Sequence, residues 1–140
     1  ITLRINPLNT PKEFAMKMGG NPSQFGVAEE DAERVARVAL HTPGIRLRGF
    51  HIYAGTQCLE IEAIVQNTRQ TLEIVDRLCS ALDFTPELIN LGGGFGIPYF
   101  ADQSPIDDSA LADALGALGE AGETGETGAA PAAAAGEAQA

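Results

Sequence analysis

The chain has 140 residues and is 44% hydrophobic and 20% charged, the make-up of one soluble globular domain. Its net charge is −10 and its nine Lys and Arg are scattered, which argues against a sequence-independent grip on nucleic-acid phosphates. No apolar run approaches the ~20 residues of a membrane span, and ITLRINP at the start lacks the charged and apolar regions of a signal peptide. Two cysteines, Cys58 and Cys79, make neither a disulfide framework nor a metal site, so no metal is expected and the cytoplasm is the default location.

Composition changes sharply near residue 119. Residues 120–140 carry four of the net negative charges and no Leu, Ile, Val or aromatic residue. Such a segment buries too little apolar surface to offset its ordering entropy, so 119–140 is expected to be a disordered Ala/Gly/Glu tail behind a domain over 1–118. The chain begins with Ile inside a strand-like run, as expected for a piece of a longer protein. A truncated or frame-shifted coding region would account for the tail.

In chain order, Thr2–Asn6 reads as a short strand closed by Pro7. Residues 7–26 form a loop rich in Pro, Gly and Asn; it contains Met16, Met18 and Phe25 and is too apolar for a mere linker. Glu29–His41 reads as a helix with Glu29, Glu30 and Asp31 in its first turn, most simply a solvated helix start. Ile45–Tyr53 follows as a strand and Gly55-Thr56 as a turn. Apolar residues from Ile61 to Leu82 recur at helical spacing, predicting a long helix from about Leu59 to Leu82. Leu88–Leu91 is a short third strand, Gly92–Gly96 a glycine loop, and Ile106–Leu118 a last helix.

A helix between each pair of strands argues parallel strands joined by right-handed crossovers, an α/β fold. A doubly wound sheet and a (β/α)8 TIM barrel both fit. A whole barrel needs about 250 residues, so this chain supplies about three strand–helix units of one. The chemically suggestive residues follow strands, where α/β folds bind ligands.

Asn90-Leu-Gly-Gly-Gly-Phe-Gly-Ile-Pro98 is the strongest local signal. Glycines directly after a strand turn sharply and present N–H groups unobstructed by side chains, as an anion such as a phosphate requires. The loop is neither a P-loop nor a dinucleotide fingerprint, and a tight turn without a ligand is the plain alternative. In Gly49–Gln57, His51 and Tyr53 alternate with Phe50 and Ile52 and so share a face. Thr56 adds a hydroxyl at the strand end. A hydrogen-bonded core histidine and a packed tyrosine are the plain readings of those two. Arg4 lies between Leu3 and Ile5, where an arginine needs a partner unless it sits at a rim. Cys58 and Cys79 read as packing residues.

Taken together, LRINP at 3–7, KMGG…QFG at 17–26, GFHIYAGTQ at 49–57 and INLGGGFGIPY at 89–99 resemble the fold-type III pyridoxal-phosphate decarboxylases. That family includes the diaminopimelate, ornithine and arginine decarboxylases, and the wording is most similar to a subgroup associated with exosortase loci. The resemblance covers residues 1 to about 110. It implies part of an alanine-racemase-like barrel and pyridoxal 5′-phosphate as cofactor. Gly92, Gly93 and Gly94 would hold the phosphate by backbone N–H groups. Thr56 would take the place of the family's serine, and Arg4 would order the site beneath the cofactor. Tyr53 stands where the family usually stacks a histidine on the ring, His51 matches its earlier histidine, and Gln24 replaces a usual lysine.

The resemblance also implies that no catalytic residue lies in this chain. The family's Schiff-base lysine lies on an earlier strand, and neither Lys12 nor Lys17 falls on a predicted strand. The expected function is a fragment of an amino-acid decarboxylase, inactive alone, whose parent acts on an amino acid as its small-molecule substrate and is a homodimer. A non-catalytic barrel relative acting through a partner, and a barrel enzyme for another phosphorylated substrate, are the alternatives.

Overall fold

The computed structural model of the chain describes residues 1–14, 16–17 and 25–123. In chain order the elements are β1 (Thr2–Asn6), β2 (Met16–Lys17), β3 (Val27–Ala28), α1 (Glu29–His41), β4 (Gly49–Ile52), β5 (Gly55–Thr56), α2 (Ile61–Leu82), β6 (Leu88–Asn90) and α3 (Asp108–Glu123). Four strands form one parallel sheet in the order β3-β1-β4-β6. β2 and β5 form a separate antiparallel pair.

The sheet has two chemically distinct faces, because side chains alternate along each strand. Leu3, Phe50 and Ile89 are in register across three strands, as are Ile5 and Ile52 on two. These apolar rows pack beneath Ala32, Ala36 and Ala39 of α1 and Ile74, Val75 and Leu78 of α2, all in one core cluster. Phe50 is fully buried and meets Phe84 edge-on at 6.0 Å. Truncating a core phenylalanine of this kind costs about 3–5 kcal/mol.

Both α1 and α2 therefore cover the same face. A doubly wound sheet needs helices on both, whereas a barrel puts helices outside and leaves the other face for its interior. The layering is that of a barrel segment. The inner face carries the polar row Arg4, His51 and Asn90, in register across β1, β4 and β6.

Several expectations change in detail. The loop expected over 7–26 contains β2, and β3 follows it directly to add a fourth strand to the sheet at the carboxyl end of β1. The strand expected from Ile45 starts at Gly49. Residues before it are held instead by isolated bonds, Arg48 N–H to Ile1 O at 2.8 Å and Glu87 N–H to Arg48 O at 2.7 Å. Gly55-Thr56 is a short strand rather than a free turn, because Met16–Lys17 pairs with it.

Glu29 is not merely solvated. Its carboxylate pairs with Arg77 of α2 at 2.5 Å and accepts Leu8 N–H at 2.9 Å, with the side chain only 12% exposed. The acid thus ties the start of α1 to α2 and to the loop behind β1. Helix α3 starts two residues later than predicted, after Asp107 accepts the Ser109 and Ala110 N–H groups, and it runs through Gly116 to Glu123. It crosses the boundary expected at 118; the expected tail beyond Glu123 lies outside the described residues, as does Gln24. No described helix is long and apolar enough to cross a membrane.

Candidate site at the carboxyl ends of the strands

Two turns meet where β4 and β6 end. After β6, Gly92, Gly93 and Gly94 all take positive φ values of 80°, 78° and 97°. Side chains rarely tolerate that region, and here contact forbids them as well at two of the three positions. A Cβ on Gly92 would overlap Ile52 O, and one on Gly94 would overlap Gly55 O. A Cβ on Gly93 would meet nothing within 4 Å. The outer glycines therefore press the loop onto the end of β4, while the middle one faces open space.

Hydrogen bonds lock the arrangement. Cys58 N–H donates to Gly94 O at 3.1 Å, and Gly96 N–H donates to Cys58 O at 2.7 Å. Asn90 Oδ1 accepts Gly92 N–H at 2.9 Å, so that donor is already used. The N–H groups of Gly93 and Gly94 make no hydrogen bond among the described residues. Backbone donors without partners on a positive-φ turn are the kind of group that anions bind. Thr56 is on the facing segment, between Gly55 and Cys58, and its hydroxyl also lacks a partner among the described residues.

Beneath these turns the polar row converges. The Arg4 guanidinium lies over the Phe25 ring at 5.6 Å and over the Tyr53 ring at 5.7 Å. Phe25 reaches that position because Asn6 Nδ2 donates to its carbonyl at 2.6 Å and because Gly26 packs on Arg4, where a Cβ would lie 2.8 Å from Arg4 O. Arg4 Nε and Nη2 are buried without a hydrogen-bond partner among the described residues. Buried unpaired donors are costly and mark a place where an acceptor belongs. Beside Arg4, burial and then the guanidinium's charge push His51 below its ordinary pKa, so its ring is neutral at pH 7.

The structure thus gathers Arg4, His51 and Tyr53 on one wall, and Thr56, Gly92, Gly93 and Gly94 on the adjoining turns. Asn90, which shapes the glycine loop, and Phe25, whose ring lies by the Arg4 guanidinium, were not singled out from the sequence. An Asn two residues before a glycine is the signal of an Asx turn and could have found the first. The second depends on a contact 21 residues away and leaves no local trace. Lys12 is exposed on the loop after β1. Lys17, expected off any strand, falls on β2 with Gly55 as its register partner. Cys58 is fully buried among Phe14, Ala54, Ala63 and Ile64, and Cys79 packs against the main core, as packing residues do. No group of three or more metal-ligating side chains occurs among the described residues.

Comparison with known proteins shows the family of the chain. The family model "Pyridoxal-dependent decarboxylase, pyridoxal binding domain" matches residues 1–128. The L-glutamyl-[BtrI acyl-carrier protein] decarboxylase of Niallia circulans is 35% identical over 107 residues, 76% of this chain and 25% of that protein. The diaminopimelate decarboxylase of Methanothermobacter thermautotrophicus is 32% identical over 116 residues, 82% of this chain and 27% of that one. The crystal structure of diaminopimelate decarboxylase from M. jannaschii in co-complex with L-lysine superposes with a TM-score of 0.72 at 29% identity. That match covers 87% of this chain and 29% of the other. The chain spans about a quarter of the length of the curated relatives it matches. The chain belongs to the pyridoxal-dependent decarboxylases, as part of their pyridoxal-binding domain.

Proposed function

We propose that this chain supplies the phosphate grip and one ring-facing wall of a pyridoxal-phosphate-dependent amino-acid decarboxylase. The observation that carries the reading is the pair of N–H groups at Gly93 and Gly94 that have no partner among the described residues, on a loop fixed against Gly55 and Cys58. A phosphate monoester accepts from both, and Thr56 adds a hydroxyl from the facing segment. Open space beside Gly93 leaves room for the phosphoryl oxygens, so the residues fit the family's cofactor.

When bound, pyridoxal phosphate supplies the electron sink that makes loss of an α-carboxylate feasible. This chain's residues bind and orient. Gly93 and Gly94 hold the phosphate end by main-chain donors. Tyr53 offers an aromatic face to a flat ring, and the Arg4 cation on that ring fixes its position. His51, neutral beside Arg4, adds no second positive charge to the wall. No residue here is assigned a proton transfer. The chain alone is therefore inactive as a decarboxylase, and the parent is a cytoplasmic homodimer acting on an amino acid. The finer likeness to the exosortase-associated subgroup rests on the motif wording alone.

The test is a titration of the chain with pyridoxine 5′-phosphate and with pyridoxine. Both lack the aldehyde, so neither condenses with Lys12, Lys17 or the N-terminus. The phosphate ester is expected to bind at least about tenfold more tightly, the worth of one charge-assisted hydrogen bond. Equal binding of the two, or a preference for a sugar phosphate, overturns the reading.

A further inference from the structure

Gln57 closes the GFHIYAGTQ motif and has no role in the site so far. Its backbone sits at φ 59°, one of two non-glycine residues with positive φ among those described. Such a conformation is unfavourable for an L-residue and persists where surroundings enforce it. The side chain shows what enforces it. Gln57 Nε2 donates to Ile97 O, and Ile97 N–H donates back to Gln57 Oε1 at 3.3 Å. The amide thus imitates one more rung of a parallel ladder. It continues the bridge in which Cys58 pairs with Phe95 through Gly94 O and Gly96 N–H.

We propose that Gln57 is a positioning residue for the phosphate grip: its bidentate amide fastens the far side of the glycine loop and so fixes the direction of the Gly93 and Gly94 N–H groups. The inference rests on the phosphate reading above. The outer glycines anchor the loop from within, on Ile52 and Gly55, where a side chain has no room. At the exit the approach is looser: a Cβ on Gly96 would lie 3.0 Å from Cys58 O, and beyond it the chain leaves the turn. Phe95, Ile97, Tyr99 and Phe100 are all more than half exposed, so burial does not hold that stretch. Backbone bonds at Cys58 and the Gln57 amide do. Without the amide, only the two Cys58 bonds hold the exit side, and the donors gain freedom of direction, which weakens a phosphate but leaves a ring without phosphate unaffected.

The test compares the unaltered full chain with Gln57→Gly and Gln57→Glu, each titrated with pyridoxine 5′-phosphate and pyridoxine. Glycine takes the positive φ without strain and removes only the amide, so folding is retained. Glutamate still accepts Ile97 N–H but opposes a carboxylate to Ile97 O. Both variants are expected to bind the phosphate ester about tenfold more weakly, matching the loss of about one net hydrogen bond. Pyridoxine binding should stay unchanged. Amide exchange of Ile97 in the ligand-free chain should rise sharply in Gln57→Gly, a readout that needs no ligand. Equal weakening of both ligands, or unchanged exchange at Ile97, overturns the proposal while leaving the phosphate reading intact. A lack of phosphate preference in the unaltered chain removes the reading and the proposal together.

Discussion

The guanidinium of Arg4 stands 5.7 Å from the centre of the Tyr53 ring and 5.6 Å from that of Phe25, and two of its nitrogens are buried without an acceptor among the described residues. The two stacking contacts contribute roughly 0.5–1 kcal/mol each. Each unpaired buried donor costs about 1–3 kcal/mol. The balance in the ligand-free chain is therefore near zero or unfavourable. Arg4→Met, of similar length and without the donors, is expected to leave stability unchanged or to raise it by about 1 kcal/mol. Urea unfolding checks this, and a loss beyond about 2 kcal/mol would mean that the donors are satisfied in solution.

Arg4 also sets the acid–base behaviour of its neighbour. Burial first, and then the Arg4 charge, hold His51 below its ordinary value of 6.5. The sign follows from linkage: the unfolded chain takes up the proton more readily. His51 thus costs the folded state nothing above about pH 6.5, and stability falls as the pH drops from there toward the lower folded value. Arg4→Met removes the smaller cause only. The His51 ring resonances should then titrate at a higher pH than in the unaltered chain, yet still below 6.5. NMR titration measures both, and no movement on losing Arg4 would show that the two groups do not face each other.

Much of this was legible in the sequence because it depends on local periodicity. α1 spans Glu29–His41 as its apolar spacing and acidic first turn foretell, and α2 ends at Leu82 as expected. The alternation of Phe50 and Ile52 with His51 separated a helix-facing side from a polar side before any contact was known. What stayed illegible depends on contacts between distant segments. β2 and β3 are two residues long, too short for a pattern, and exist because β5 and β1 offer them partners. The Glu29–Arg77 pair joins two helices 48 positions apart, which made Glu29 look solvated. The glycine loop was plain, but only the structure separates the occupied N–H of Gly92 from those of Gly93 and Gly94, which have no partner among the described residues.

That separation gives the three glycines different mutational responses. Gly94→Ala drives a methyl into Gly55 O and Gly92→Ala drives one into Ile52 O, on top of the positive-φ penalty. Each is expected to cost more than about 3 kcal/mol, since backbone must move. Gly93→Ala meets no atom and pays only the conformational term, about 1–2 kcal/mol. It should nevertheless weaken pyridoxine 5′-phosphate, because its methyl enters the space left for the phosphoryl group. Denaturant midpoints and the two-ligand titration separate the effects; equal destabilisation at all three positions would contradict the packing described here.

A last prediction concerns the opposite end of the sheet, where β4 and β6 begin. The Glu87 carboxylate takes hydrogen bonds from Arg46 at 2.5 Å and Arg48 Nε at 3.0 Å, joining the approach to β4 to the approach to β6. Those two bonds hold its carboxyl below the usual 4.5. The stability it gives is present above that value and lost as the pH falls through the lower folded one. All three side chains are well exposed to solvent, so ionic screening weakens the pairs. Raising the salt from 0.05 to 0.5 M, a range chosen to shrink the screening length below about 10 Å, should move the Glu87 titration up toward 4.5. In Glu87→Gln the acid limb of the stability curve should flatten while the behaviour of His51 near pH 6 is untouched, because that histidine points to the inner face and meets Arg4 rather than the Arg46–Arg48 pair.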